Sequence, residues 1–167
     1  GQCFKVSFGN TTLAFDPISK KSKLTPVKFG SDVAFISLRH PDFCGAEQVA
    51  HGTKEPFVID GPGEYEVRGV YIRGFPTAVS YGSKSKRINT IYSFMLDSIH
   101  VCFLGALDTA TIDENVWEHS TDVDILFVPV GGGGVLGPAE AGKLALSFEP
   151  KVIVPVHYDA TSLKKFL

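Results

Sequence analysis

The sequence has 167 residues, of which 44% are hydrophobic and 20% are charged, and its formal net charge at pH 7 is -2. This length suits one domain with a substantial core, so we expect a single domain over residues 1–167. The nearly neutral charge and the lack of an apolar run of ~20 residues exclude nucleic acid and a membrane as expected partners. Three scattered cysteines form no disulfide framework and no signal peptide is visible, so we expect a cytoplasmic protein.

Both ends of the sequence fall inside predicted elements. The chain starts within a strand pattern, GQCFKVSF, without a Met. It stops at TSLKKFL, where Thr161 is a candidate N-cap of a helix. We therefore expect the sequence to be a trimmed version of a longer chain.

The first half of the chain is rich in strand patterns. Gly9-Asn10 separates two short β-rich runs and is a strong hairpin signal. Residues 32–37 are continuously apolar at their centre and predict a buried strand. A short helix is predicted after it, over residues 46–50. PFVID predicts another buried strand, and YEVRGVYIRGF alternates well enough for one or two strands with an exposed face.

The second half combines a hairpin with helices. INTIYSFMLDSIHVCFLGA predicts a hairpin that turns near Asp97, and Thr111 with Glu114 fits a capping box for a helix over residues 112–119. DILFVPV and KVIVPV predict buried parallel strands, joined by a helix over residues 138–148 in a right-handed β-α-β unit. This order of elements predicts mixed sheets covered by helices.

Polar residues follow two of the predicted buried strands. LRHPDFC comes after the strand at residues 32–37, and HYD comes after KVIVPV. Functional sites in such sheets lie beyond the carboxyl ends of the strands. We therefore expect His40, Asp42 and His157 to converge, although they are far apart in sequence.

The order of seven short segments resembles the metallo-β-lactamase superfamily. These segments are AFDP, DVAFISLRHPDFC, IDGPGEYEVRGVYI, INTIY, CFLGALD, DILFVPVGG and KVIVPVHYD, and they cover nearly the whole chain. The branch that the chain resembles most is that of the short, stand-alone zinc-dependent hydrolases similar to sugar-phosphate lactonases. The resemblance implies an α/β fold, an αββα four-layer sandwich of two mixed sheets flanked by helices, with a metal cluster at one edge.

The resemblance also implies where the metal ligands would lie. A His-x-His-x-Asp-His turn of the superfamily aims imidazoles and a carboxylate at two zinc ions, which activate a water. In this chain His40, Asp42 and His157 match ligand positions. The other matched positions hold apolar residues, namely Leu38, Phe43, Val79, Phe103 and Ala106. Neither metal keeps the three protein ligands of a catalytic zinc, so the resemblance implies a degenerate site with no cofactor.

Alternative interpretations of the polar residues stay open. His40 is either a ligand or a loop histidine that hydrogen-bonds a backbone carbonyl or Asp42. Asp42 is either a relic of the ligand set or the cap of the short helix that starts near Gly45. Cys44 could take the place of Asp42 beside His40 and His157 in a rebuilt site for one zinc or manganese ion, or it is a small buried residue.

Three further features have both a functional and a structural interpretation. Asp108 lies two residues beyond the lost bridging position and could replace it after a backbone shift. Gly131 and Gly132 begin a glycine run between a strand and a helix, which either cradles an anion or forms a flexible turn. The KSKR run at residues 84–87 is either a solvated charge cluster or a phosphate contact at the mouth of the pocket.

Two functions are compatible with the sequence. The first is a degenerate metallo-β-lactamase-fold protein that serves as a binding or scaffold domain for an unknown small molecule or protein. The second is a metal-dependent hydrolase with a mononuclear site of His40, Asp42 and His157, acting on a small phosphorylated or lactone-like substrate. That substrate class comes wholly from the resemblance. Because members of the superfamily often self-associate, we also expect that a homo-oligomer can form.

Overall fold

A computed structural model describes all 167 residues, and its strands form two sheets that pack face to face. The strands are β1 (Phe4–Phe8), β2 (Thr11–Phe15), β3 (Val33–Phe35), β4 (Phe57–Ile59), β5 (Gly63–Val67), β6 (Val70–Val79), β7 (Arg87–Leu96), β8 (Ile99–Phe103), β9 (Ile125–Pro129) and β10 (Val152–Val156). The helices are α1 (Glu114–Glu118), α2 (Pro138–Ser147) and α3 (Ala160–Phe166), and a 3₁₀ turn spans Ala46–Gln48. None of these helices has the length and hydrophobicity to cross a membrane.

Both sheets are mixed. The first has the order β1-β2-β3-β4, in which β1 and β2 are antiparallel and β2, β3 and β4 are parallel. The second has the order β10-β9-β8-β7-β6-β5, with parallel pairs among β8, β9 and β10 and antiparallel pairs among the rest. The predicted β-α-β unit is therefore confirmed as β9-α2-β10, and the α/β sandwich is confirmed with it.

Aromatic side chains dominate the core between the two sheets. Phe15 stacks on Phe35 with ring centroids 4.5 Å apart and on Phe4 with centroids 4.7 Å apart. Phe103 of the second sheet meets Phe15 edge-on at 5.2 Å. Because side chains alternate along a strand, these residues share the inner face while their neighbours in sequence point outward.

Helices cover the outer face of the second sheet. Val116 of α1 and Leu144 of α2 belong to the buried cluster on that face, and Phe166 of α3 packs against it. The outer face of the first sheet has no α-helix over it, and Val49 packs there on the small side chains of Ala14 and Ala34. The helix expected over residues 46–50 is a single 3₁₀ turn, so this layer is thinner than predicted.

The N-terminal ends of two helices differ from the prediction. α1 begins after Asp113, whose carboxylate accepts a hydrogen bond from the amide of Asn115 at 2.9 Å. The capping box predicted from Thr111 was wrong, because the extended backbone of Asp113 places a stronger acceptor next to the free amides. α3 is likewise capped by Asp159 and not by Thr161.

The buried carboxylate of Asp16 ties the end of β2 to the chain that leaves β3. It accepts hydrogen bonds from the backbone amide and the hydroxyl of Ser37, both at 2.7 Å, and from the side-chain amide of Gln2. The amide of Asp16 donates to the carbonyl of Phe35 at 2.9 Å. Burial raises the pKa of Asp16 to about 7, although the hydrogen bonds from Ser37 and Gln2 oppose that change.

We predict that Asp16 makes the protein less stable as the pH rises. Because its pKa rises on folding from 3.8 to about 7, the protonated carboxyl stabilises the fold, and this contribution is lost as the pH rises through 7. Urea titrations should show a fall in the free energy of unfolding from about pH 5 to about pH 8, and this fall should be on the order of 3 kcal/mol smaller in Asp16→Asn. The same pH dependence in both proteins would contradict the prediction.

Candidate functional site

The turn after β3 and the end of β10 meet at one edge of the sandwich, around the side chain of Tyr81. The ring of Tyr81 lies edge-on to the imidazoles of His40 and His157, with centroids 5.0 Å and 5.7 Å apart. Its hydroxyl donates a hydrogen bond to Asp42 Oδ2 at 2.8 Å. The structure thus brings His40, Asp42 and His157 around one tyrosine ring.

Tyr81 was not singled out in the sequence, although a signal for it was present. It lies two residues after Val79 in GFPTAVSY, and residues two apart on an extended chain share a face. Its ring also meets that of Phe43 edge-on at 4.8 Å. Burial and the adjacent Asp42 carboxylate raise the pKa of the Tyr81 hydroxyl above its usual range, so the hydroxyl stays protonated and donates.

Both carboxylate oxygens of Asp42 have hydrogen-bond donors. Oδ1 accepts from the hydroxyl of Ser22 and Oδ2 from the hydroxyl of Tyr81. Burial alone would raise the pKa of Asp42. These hydrogen bonds and the nearby His40 have a larger combined effect in the opposite direction, so the pKa lies below its usual value. The interpretation of Asp42 as a helix cap was wrong, since the 3₁₀ turn has no side-chain cap and Asp42 points to Tyr81 instead.

The imidazole of His40 accepts a hydrogen bond from the backbone amide of Asp42 at its Nδ1, with a distance of 3.2 Å. The same Nδ1 lies 3.6 Å from Asp42 Oδ2, beyond hydrogen-bond range. His40 was expected to hydrogen-bond a backbone carbonyl or the Asp42 side chain. Its partner in the structure is a backbone amide instead. On the other side of the ring, a Cβ atom at Gly82 would lie 3.1 Å from Nε2, so the ring packs on bare backbone.

His157 follows β10 with a positive φ of 50° and packs between aromatic rings. Its imidazole is nearly parallel to the ring of Phe43, with centroids 5.8 Å apart, and its Nε2 is buried without a hydrogen-bond partner. Burial lowers the pKa of His157 below its usual value, which favours the neutral ring. A Cβ atom at Gly131 would overlap the carbonyl oxygen of His157, so only glycine fits there.

Four of the five substituted positions form one buried cluster at this edge. These four are Leu38, Phe43, Val79 and Ala106. Val135 is the fifth member of the cluster, and each member is at most 6% exposed. Tyr81 packs against this edge cluster. The assignment of Phe103 to the site was wrong. Phe103 is the last residue of β8, and its side chain points into the core between the sheets, where it contacts Phe15.

The remaining candidates do not join the site as ligands. Burial raises the pKa of the Cys44 thiol, which keeps it protonated and makes it a poor ligand. Asp108 accepts a hydrogen bond from the backbone amide of Ser80 at 2.8 Å and does not take the bridging position. The predicted anion loop was wrong for Gly132, because its amide donates to the carbonyl of Leu136 at 2.9 Å and is not free for an anion.

The donors at this edge do not fit a metal ion. No three or more His, Cys, Asp or Glu side chains form a group that could hold one. Both oxygens of Asp42 and Nδ1 of His40 are engaged, and the free Nε2 of His157 lies among aromatic rings. A catalytic zinc needs three protein ligands, so no metal-dependent step can be derived from this arrangement.

We predict that Phe43→Ala lowers the free energy of unfolding by about 3–5 kcal/mol, because it leaves a cavity between Tyr81 and His157. Phe57→Ala is the matched control, since the Phe57 side chain is 53% exposed and its loss should change stability by less than about 1 kcal/mol. Urea unfolding of both variants gives the comparison. A loss in Phe43→Ala as small as in the control would contradict the packing described here.

Known proteins resemble this chain in sequence and in fold. The family model of the β-lactamase superfamily domain matches residues 1–157. A UPF0173 metal-dependent hydrolase from Listeria welshimeri is 23% identical over 192 residues, which cover 96% of this chain and 83% of the relative. Another from Lysinibacillus sphaericus is 30% identical over 110 residues, which cover 62% of this chain and 48% of the relative.

A solved structure is similar to this chain in both fold and sequence. It is a protein from Thermotoga maritima, named as a Zn-dependent hydrolase of the metallo-β-lactamase superfamily. It is 32% identical, with a TM-score of 0.73, and the match covers 95% of this chain and 72% of that one. Together with the family match, this similarity shows that the chain belongs to the metallo-β-lactamase superfamily.

Proposed function

We propose that this protein is a metallo-β-lactamase-fold protein without a hydrolytic metal centre, and that it serves as a binding or scaffold domain. The observation that carries the proposal is the position of the Tyr81 ring, which lies among His40, Phe43 and His157. A side chain fills the space in which ions would have to approach these residues.

The energetics of this edge support the same proposal. A divalent ion would have to displace the Tyr81 hydroxyl from Asp42 and would then lie against the apolar side chains of Leu38 and Phe43. Moving an ion from water into such surroundings is costly unless several ligands replace its hydration shell. The imidazole nitrogens without a hydrogen bond, Nε2 of His157 and Nε2 of His40, are at most two ligands, which is too few.

The second candidate is a metal-dependent hydrolase with a mononuclear site. The names of the relatives favour it, since they are called metal-dependent hydrolases. The buried, unpartnered Nε2 of His157 also favours it, because such a nitrogen can bind an ion. This candidate requires the Tyr81 ring to leave the site, and its substrate would be a small phosphorylated or lactone-like molecule.

The proposal extends to the setting in which the protein works. We propose a reducing, cytoplasmic compartment because all three cysteines, Cys3, Cys44 and Cys102, are free thiols. We propose that no cofactor is needed and that the partner is a small molecule or a protein. Self-association of the chain is compatible with this role.

We predict that untagged protein retains less than about 0.1 zinc or manganese ion per chain after incubation with excess metal and dialysis, because three ligands are not available. Elemental analysis by plasma mass spectrometry measures the ratio. Close to one ion per chain, lost in His157→Ala, would overturn the proposal and support the hydrolase.

A variant with restored ligands provides the matched control. Leu38→His, Phe43→His, Val79→His and Ala106→Asp together return donors to the four clustered positions, and Tyr81→Ala clears the space between them. This variant should bind zinc if the fold survives, which circular dichroism can verify. If this variant binds zinc and the unmodified protein does not, the missing donors and the Tyr81 ring account for the absence of a metal.

A further inference from the structure

A cavity of about 380 Å³ lies beside the candidate site, on the other side of the chain that leaves β3. Ser37 and Arg39 line this cavity, whereas Leu38 belongs to the edge cluster and His40 contacts Tyr81. The residues that line the cavity and those of the edge cluster have no member in common, which separates the two groups. The cavity is therefore distinct from the candidate site.

The lining of the cavity is polar and carries a positive charge. Ile88 is the one hydrophobic residue among the eight that line it. The charged residues of the lining are Arg39, Arg87 and Asp60, which gives a formal charge of +1 from two arginines and one aspartate. The volume lies at the low end of the range for small-molecule pockets, roughly 300–1,000 Å³.

Arg87 has a donor that nothing in the protein satisfies. Its Nη1 donates a hydrogen bond to the carbonyl of Arg39 at 3.3 Å, which fixes the guanidinium at the cavity. Its Nε is buried and has no hydrogen-bond partner. A buried donor on a cationic group is costly to leave unpaired, so the charge of Arg87 is poorly compensated within the protein.

Arg39 can also contribute to binding, because its ion pair leaves donors free. Its Nη2 lies 3.0 Å from Asp60 Oδ2, and the two side chains are 77% and 52% exposed. An exposed pair of this kind contributes little to stability and is exchanged easily. A guanidinium has five N–H donors, so most of those on Arg39 remain available to a ligand.

We propose that this cavity binds a small molecule through its phosphate group, held by Arg87 and Arg39. Each guanidinium fork can engage two oxygens, and two forks therefore match a phosphate, with three or more oxygens, better than a carboxylate with two. The exposed lysines of the KSKR run, Lys84 and Lys86, precede Arg87 and add to the attraction of an anion. This proposal rests on the proposed function, because it names the ligand class of the binding domain.

Inorganic phosphate is the probe that tests the proposal. Chelator-treated, ¹⁵N-labelled protein is titrated with phosphate while chloride keeps the ionic strength constant, and the Nε–H resonances of the arginines are followed by NMR. We expect a saturable shift at Arg87. We expect that Arg87→Gln weakens phosphate binding by about tenfold or more, since a hydrogen bond to a charged group is lost.

Arg68→Gln is the matched control, because Arg68 is an exposed arginine that pairs with Asp32 and does not line the cavity. It should leave phosphate binding unchanged, and circular dichroism verifies that both variants fold. No saturable shift, or equal weakening in both variants, would overturn the proposal. Acetate that binds as tightly as phosphate would also overturn the assignment to a phosphate group.

The proposed function without a metal centre and the proposed phosphate site can be overturned independently of each other. Metal content is measured on untreated samples of the same preparation. Phosphate binding in protein that carries no metal supports both proposals, whereas phosphate binding in protein that also holds an ion overturns the proposed function alone. Absence of both overturns the phosphate site and leaves the proposed function standing.

Discussion

The hydrogen bond from Tyr81 to Asp42 is the interaction on which the edge of the sandwich depends. It gives the Asp42 carboxylate a donor within the protein and holds the tyrosine ring between two imidazoles. Burial in these surroundings lowers the pKa of His157, and Phe43 is fully buried. In this structure His40, Asp42 and His157 thus pack against aromatic rings or hydrogen-bond within the protein.

Asp16 supports this edge from within the sandwich. It is fully buried and binds both the amide and the hydroxyl of Ser37, the residue with which the turn after β3 begins. These hydrogen bonds fix the start of the turn, and the side chains that follow point to two different sides of it. Leu38 completes the edge cluster, and Arg39 faces the polar cavity. One short turn therefore separates an apolar interior from a charged surface.

The positions of the strands could be predicted from their hydrophobic patterns. The clustering of Leu38, Phe43, Val79 and Ala106 could be predicted because the resemblance matches all four to ligand positions of one site. The resemblance misplaced Phe103, because the side chain of this last residue of β8 points into the core between the sheets, where it packs on Phe15. Tyr81 was missed because it matches no ligand position. The cavity could not be predicted, because Arg39, Asp60 and Arg87 are distant in sequence and only the tertiary fold brings them together.

The ¹⁵N chemical shift of His157 Nε2, measured with and without excess zinc, tests whether the Tyr81 ring keeps a metal ion from this edge. The structure leaves this nitrogen buried, unpartnered and next to the Tyr81 ring. If the Tyr81 ring keeps zinc away from His157, the shift stays that of a neutral imidazole when zinc is added. A zinc-dependent change at this nitrogen, accompanied by loss of the hydrogen bond from Tyr81 to Asp42, would contradict the account.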